Sequence, residues 1–156
     1  MQLLVAAVGQ RMPAWVQQGW QEYAGRFPRG LTLELREIPL ARRGRNAAVG
    51  PLRESEGQAL LAAVPAGHRV VALDERGEQW TTAELARRLE HWMREERGVC
   101  FLIGGPDGLA DACRQHARDL WGLSRLTLPH AMVRVLLAEQ LYRAWTVTRN
   151  HPYHRE

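Results

Sequence analysis

The sequence predicts an α/β protein, a mostly parallel sheet with helices on both faces. Three observations carry this. Short, wholly apolar runs at residues 3–8 (LLVAAV), 70–73 (VVAL) and 99–103 (VCFLI) have the length and continuity of strands covered on both faces. Each is stopped by a glycine or a polar turn: Gly9, then Asp74-Glu75-Arg76-Gly77, then Gly104-Gly105-Pro106-Asp107-Gly108. Between the runs, apolar residues recur at three- and four-residue steps, the period of an amphipathic helix. At 156 residues, 46% hydrophobic and 24% charged, the chain suits a single domain over 1–156 with a real core, and is not disordered in composition.

In order, residues 3–8 form a first buried strand. Pro13 suits the first turn of a helix, whose face carries Trp15, Val16, Gly19, Trp20, Tyr23 and Phe27. Leu31, Leu33 and Leu35 alternate with Thr32, Glu34 and Arg36, a half-exposed strand that runs to Ile38 and closes at Pro39. A polar loop fills 41–50. Residues 52–64 read as a helix ended by Pro65 and Gly67, and 70–73 as a short strand running into the polar turn 74–77. Thr81 and Glu84 have capping-box spacing for a helix to about Arg97, with Leu85, Leu89 and Trp92 inside. After the strand 99–103 and its glycine turn, 110–120 reads as a short helix and 122–128 as a last strand and turn. Pro129 and His130 lead into a strong helix with Val133, Leu136, Leu137, Leu141, Ala144 and Trp145 on one face.

The chain has no lysine, and all 21 basic residues are arginine, against 17 acids. Every cation is therefore a planar fork suited to phosphate, carboxylate and base edges. Seven arginines and two glutamates fall between Arg26 and Arg53. Within that stretch, Arg42, Arg43 and Arg45 read either as a mobile basic loop for nucleic-acid phosphates or as a solvated surface loop. Cys100 and Cys113 lack C-x-x-C and metal-ligand spacing, and Cys100 reads as a small core residue, which suits a reducing compartment. No signal peptide or membrane span is legible, so a cytoplasmic protein with no membrane partner is expected. No metal is expected.

The glycine turn lacks G-x-G-x-x-G spacing and any G-K-[ST] ending, which argues against a dinucleotide fold or a P-loop. There is no G-x-S-x-G elbow and no H-E-x-x-H helix. What remains is three strand-to-turn junctions, Leu73-Asp74, 103–108 and 123–130. In a parallel sheet they can open on one edge, giving a pocket walled by main chain that suits a neutral or cationic nucleoside better than a polyphosphate. The tail, with Arg149, His151, Tyr153, His154 and Arg155, suits stacking on a base and steadying negative charge, or else docking on the body. His130, just after the third junction, reads as a site residue or as a structural histidine.

Leu102-Ile103-Gly104-Gly105-Pro106-Asp107-Gly108, Leu126-Thr127-Leu128-Pro129-His130, Glu139-Gln140-Leu141-Tyr142-Arg143-Ala144 and Asn150-His151-Pro152-Tyr153-His154-Arg155 together resemble the RlmH (YbeA-like) group of the SPOUT methyltransferases. The likeness extends to Met12-Pro13-Ala14-Trp15-Val16 and Arg43-Gly44-Arg45-Asn46, where arginines stand in place of the group's usual lysines. The resemblance implies S-adenosylmethionine-dependent methylation at N3 of a pseudouridine in 23S ribosomal RNA, in the large subunit or whole ribosome. It also implies a homodimer and a deep trefoil knot over about 70–156, a feature that ordinary topology rules argue against. The cofactor positions it implies are Leu73, Gly104, Gly105, Leu123, Ser124, Arg125, Leu126, Thr127 and Leu128. His130, Tyr153, His154 and Arg155 become candidates for positioning the substrate and stabilising charge. The competing reading is a non-catalytic ribosome-binding or assembly factor that keeps the fold.

Overall fold

The computed structural model describes residues 1–154. Five strands form one sheet: β1 (Gln2–Val8), β2 (Thr32–Ile38), β3 (Arg69–Glu78), β4 (Gly98–Ile103) and β5 (Asp119–Trp121). The spatial order is β2-β1-β4-β3-β5, and every pairing is parallel. The helices are α1 (Ala14–Ala24), α2 (Val49–Ala63), α3 (Thr82–Glu95), α4 (Asp111–His116) and α5 (His130–Thr148), followed by a 3₁₀ turn at Pro152–His154.

The period-two alternation of the strands divides the core. Leu3, Val5 and Ala7 of β1, with Val99, Phe101 and Ile103 of β4, face the layer of α1, α3 and α5 through Trp20, Leu85, Leu89, Trp92, Leu137 and Leu141. Leu4, Ala6 and Val8, with Cys100 and Leu102, face α2 and α4 through Leu60, Ala63 and Cys113. Helices therefore cover both faces, as the continuous apolar runs require. Thr81 caps α3 in the expected capping box: its side chain accepts from the Glu84 amide at 3.2 Å and its amide donates to Glu84 at 2.7 Å.

Three expectations need correcting. The helix expected over 110–120 stops at His116, and the last strand is Asp119–Trp121 rather than a stretch within 122–128. The amide of Arg118 donates to the Val70 carbonyl at 2.9 Å, and Arg69 Nε donates to Asp119 at 2.7 Å. These bonds unwind the helix and lay 119–121 beside β3. In addition, β3 does not end at Leu73. Leu73 and Glu78 both pair with Trp121, so 74–77 is an excursion that leaves the ladder and rejoins it. There the two backbones lie almost in contact. A Cβ on Gly77 would sit 2.6 Å from the Leu120 carbonyl carbon and from the Trp121 nitrogen.

Candidate functional site

Because β3, β4 and β5 run parallel, their carboxyl ends open on one edge, and a cavity of about 520 Å³ lies there. That is a volume for a nucleoside-sized ligand. The three junctions singled out in the sequence supply its walls. Leu73 to Arg76 come from the β3 excursion and Gly104 to Leu109 from the glycine turn. Leu123, Ser124, Leu126, Thr127 and Leu128 come from the loop before α5. Trp121, stacked on Trp80 with ring centroids 4.8 Å apart, and Ile103 add apolar surface. Of the expected cofactor positions, only Arg125 is absent from the lining, and it is exposed to solvent.

The glycine turn is compact for a local reason. The Gly108 amide donates to the Gly105 carbonyl at 3.0 Å, with Pro106 second and Gly108 fourth, at φ +80°. Gly104 is enclosed by main chain: a Cβ there would lie 2.6 Å from the Gly108 carbonyl carbon and 2.8 Å from the Leu109 nitrogen.

Charge around the cavity is balanced. Arg53, Arg76 and Arg114 face Asp74, Glu75 and Asp107. Arg114 Nη1 reaches Asp74 at 3.2 Å and the Leu109 carbonyl at 2.8 Å, tying the β3 end to the start of α4. Burial pushes the Asp74 carboxyl up, but the Arg76 amide and guanidinium and Arg114 outweigh it and hold the carboxyl below its ordinary value. With Arg76 and Arg114 committed to carboxylates and three acids set against three arginines, this rim suits a neutral or zwitterionic nucleoside.

The basic loop divides. Arg42, Arg43 and Arg45 are all exposed, but Arg43 is tied to the body. Arg43 binds Asp107 of the glycine turn, and its Nη2 donates to Glu56 Oε1 at 3.0 Å. Glu56, on α2, is buried; desolvation raises its pKa and Arg43 opposes the rise.

His130 opens α5 but does not line the cavity. It faces the end of β1, where a Cβ on Gly9 would lie 4.0 Å from its Nε2 and 3.5 Å from Arg134 Nη2. Burial, then Arg134, lowers its pKa, so it is neutral at pH 7. The tail docks on α5. Tyr153 donates its hydroxyl to Glu139 at 3.0 Å and meets Tyr142 edge-on at 4.8 Å, with the Arg26 and Arg143 guanidiniums 5.7 and 5.2 Å from its ring. Burial, then the bond to Glu139, raises its phenol to about 12. His154 is half-buried in the 3₁₀ turn. Neither Tyr153 nor His154 lines the cavity, and Arg155 lies outside the described residues.

Four residues here escape the sequence reading. Trp121 was left between two expected elements. Arg114 and Glu56 carried no signal, because their partners are distant in sequence. Arg134 could have been found: it falls on the buried stripe of α5 with Leu137, Leu141 and Ala144, is 1% exposed, and donates to Glu37 at 2.8 Å and to the Gly9 carbonyl at 2.7 Å. Among the described residues, no three His, Cys, Asp or Glu side chains gather as metal ligands would, and no helix is long and apolar enough to cross a membrane.

A family model described as "Predicted SPOUT methyltransferase" matches residues 1–154. Among solved structures, a probable methylase family protein from Haemophilus influenzae Rd KW20 matches with a TM-score of 0.59 at 12% identity, over 99% of this chain and 70% of that one. At that identity the likeness speaks for the fold alone.

Proposed function

The chain belongs to the SPOUT methyltransferase family, and from that premise we propose that it transfers a methyl group from S-adenosylmethionine to N3 of a pseudouridine in 23S ribosomal RNA of the large subunit, on assembled ribosomes. The observation that carries this reading is the convergence of three parallel strand ends on one charge-balanced, main-chain-walled cavity. Its residues fit the cofactor by volume, by apolar lining at Leu73, Trp121, Leu123 and Leu128, and by the pairing of Arg76 and Arg114 with Asp74. Leu73, Gly104 and the 123–128 loop would hold the nucleoside. The deep knot expected over about 70–156 would shape those loops.

When bound, S-adenosylmethionine supplies a methyl group already activated by its sulfonium. The chain's own residues position the base and manage its imide proton, which leaves before or during attack. Neutral His130 has the charge state to accept a proton. Tyr153, raised to about 12, keeps its proton and serves only as a donor. Arg42 and Arg45 would meet phosphates.

Since Tyr153 and His154 dock away from their own cavity, the reading brings the tail of one protomer to the cavity of its partner in a homodimer. Support for a dimer comes from apolar side chains left in solvent on α1, on α5 and on the loop before it: Trp15 (52% exposed), Met132 (40%) and Leu126 (75%).

The test is calorimetric titration of S-adenosylmethionine into the protein, which should saturate near one site per cavity. No heat at millimolar ligand would overturn the reading in favour of a non-catalytic ribosome-binding protein with this fold.

A further inference from the structure

We propose that Arg43 is a positioning residue for the glycine turn, a clamp between the arginine-rich loop and the cavity, rather than a contact for RNA phosphate. The inference rests on the cofactor reading above for its ligand, but not for its geometry.

Both arms of the Arg43 fork are engaged. Nη1 binds Asp107, and Nη2 donates to Glu56 Oε1 at 3.0 Å. The two carboxylates together more than offset the guanidinium's charge, which disfavours a further anion such as a phosphate there. The two carboxylates grip the turn at different points. Asp107 is part of the turn and lines the cavity. Glu56 sits under its first residue: a Cβ on Gly105 would lie 2.9 Å from Glu56 Oε2 and 3.0 Å from Val8 Cγ1. One planar guanidinium therefore bridges the turn to the floor it rests on. A lysine ammonium, a compact point charge, would not hold both carboxylates in one plane.

Glu56 is 5% exposed, so Arg43 also supplies the charge that a buried carboxylate requires. Removing Arg43 frees Asp107 and strands Glu56. These are separable consequences: the first acts on the cavity, the second on folding. The clamp also links two sites. Arg43 leaves the loop at a point flanked by the exposed Arg42 and Arg45, so ordering of that loop and closure of the turn are coupled. Such coupling is reciprocal between the two ligands.

The experiment compares wild type, Arg43→Ala and Arg43→Ala/Glu56→Gln by three readouts: thermal melting, calorimetry with S-adenosylmethionine, and amide hydrogen exchange of residues 104–109 followed by mass spectrometry. Arg43→Ala should lower the melting temperature, weaken the cofactor about tenfold and speed exchange in the turn. In the double variant no buried charge is left alone, so melting should recover while weak binding and fast exchange persist. Cofactor affinity that recovers along with melting would reduce Arg43 to a structural role and overturn the proposal, as would unchanged turn exchange in Arg43→Ala. If wild type fails to bind S-adenosylmethionine while Arg43→Ala still loosens the turn, the clamp stands and the cofactor reading falls.

Discussion

Gly104→Ala puts one methyl group where the cavity wall has no room for it. The added carbon would meet the Gly108 carbonyl carbon at 2.6 Å, the Gly108 oxygen at 2.8 Å and the Leu109 nitrogen at 2.8 Å. Ordinary contacts of this kind lie near 3.5 Å or beyond, so the 105–108 turn must retreat by roughly 0.7–0.9 Å. All three neighbours are main chain, and no side chain can rotate away. Overpacking of this sort costs about 1–3 kcal/mol, which leaves most of the fold intact because the layer of α1, α3 and α5 lies on the other face of the sheet. The larger effect falls on the ligand. A displacement approaching 1 Å in a positioning element reduces function by about a hundredfold, so S-adenosylmethionine affinity should fall at least tenfold. Urea denaturation and calorimetry on the same preparation separate the two effects. Affinity within twofold of wild type, with the fold intact, would refute the assignment of this turn as the cofactor wall.

Other expectations follow from the buried charges and thiols. Arg134→Ala leaves the buried Gly9 carbonyl without its donor while the part-exposed Glu37 stays solvated, and should cost about 1–3 kcal/mol in urea denaturation; no measurable loss would contradict the packing described. His130, lowered by burial and then by Arg134, should titrate below 6.5 by NMR. Because the unfolded chain binds that proton more readily, His130 should cost stability as pH falls from the unfolded value toward the folded one. A midpoint at or above 6.5 would contradict the burial of this ring and its placement beside Arg134. Cys100 is buried and its thiol is pushed up to about 12, so iodoacetamide at pH 8 should modify it only after denaturation. Rapid labelling of the native protein would show the β4 environment to be open.

The parallel sheet was legible because three strands are apolar on both faces, and only a sheet covered on both sides asks for that. The cavity was legible for a related reason: strand ends marked by glycine or a polar turn at 73–77 and 103–108 must share an edge once their strands are parallel. The β5 strand was not. Asp119-Leu120-Trp121 has two apolar residues beside a charged one, and its pairing with β3, a distant segment, is what makes it a strand. Arg43 looked like its neighbours Arg42 and Arg45, since Asp107 lies 64 residues away and no local pattern marks it as a partner. The tail illustrates the limit of composition. Tyr153 has the chemistry to stack on a base, but its ring packs on Tyr142 and its hydroxyl is held by Glu139.

The central claim is that the chain delivers a methyl group to ribosomal RNA from the cavity at the ends of β3, β4 and β5. The most direct measurement is incubation with methyl-labelled S-adenosylmethionine and naked RNA, large subunits or whole ribosomes, followed by mass mapping of the nucleotide that takes up label. The account predicts one methyl group per ribosome, on N3 of a pseudouridine in the large-subunit RNA, with whole ribosomes the best substrate. Label absent from RNA in all three preparations, while a cofactor-binding protein is present and folded, would contradict it.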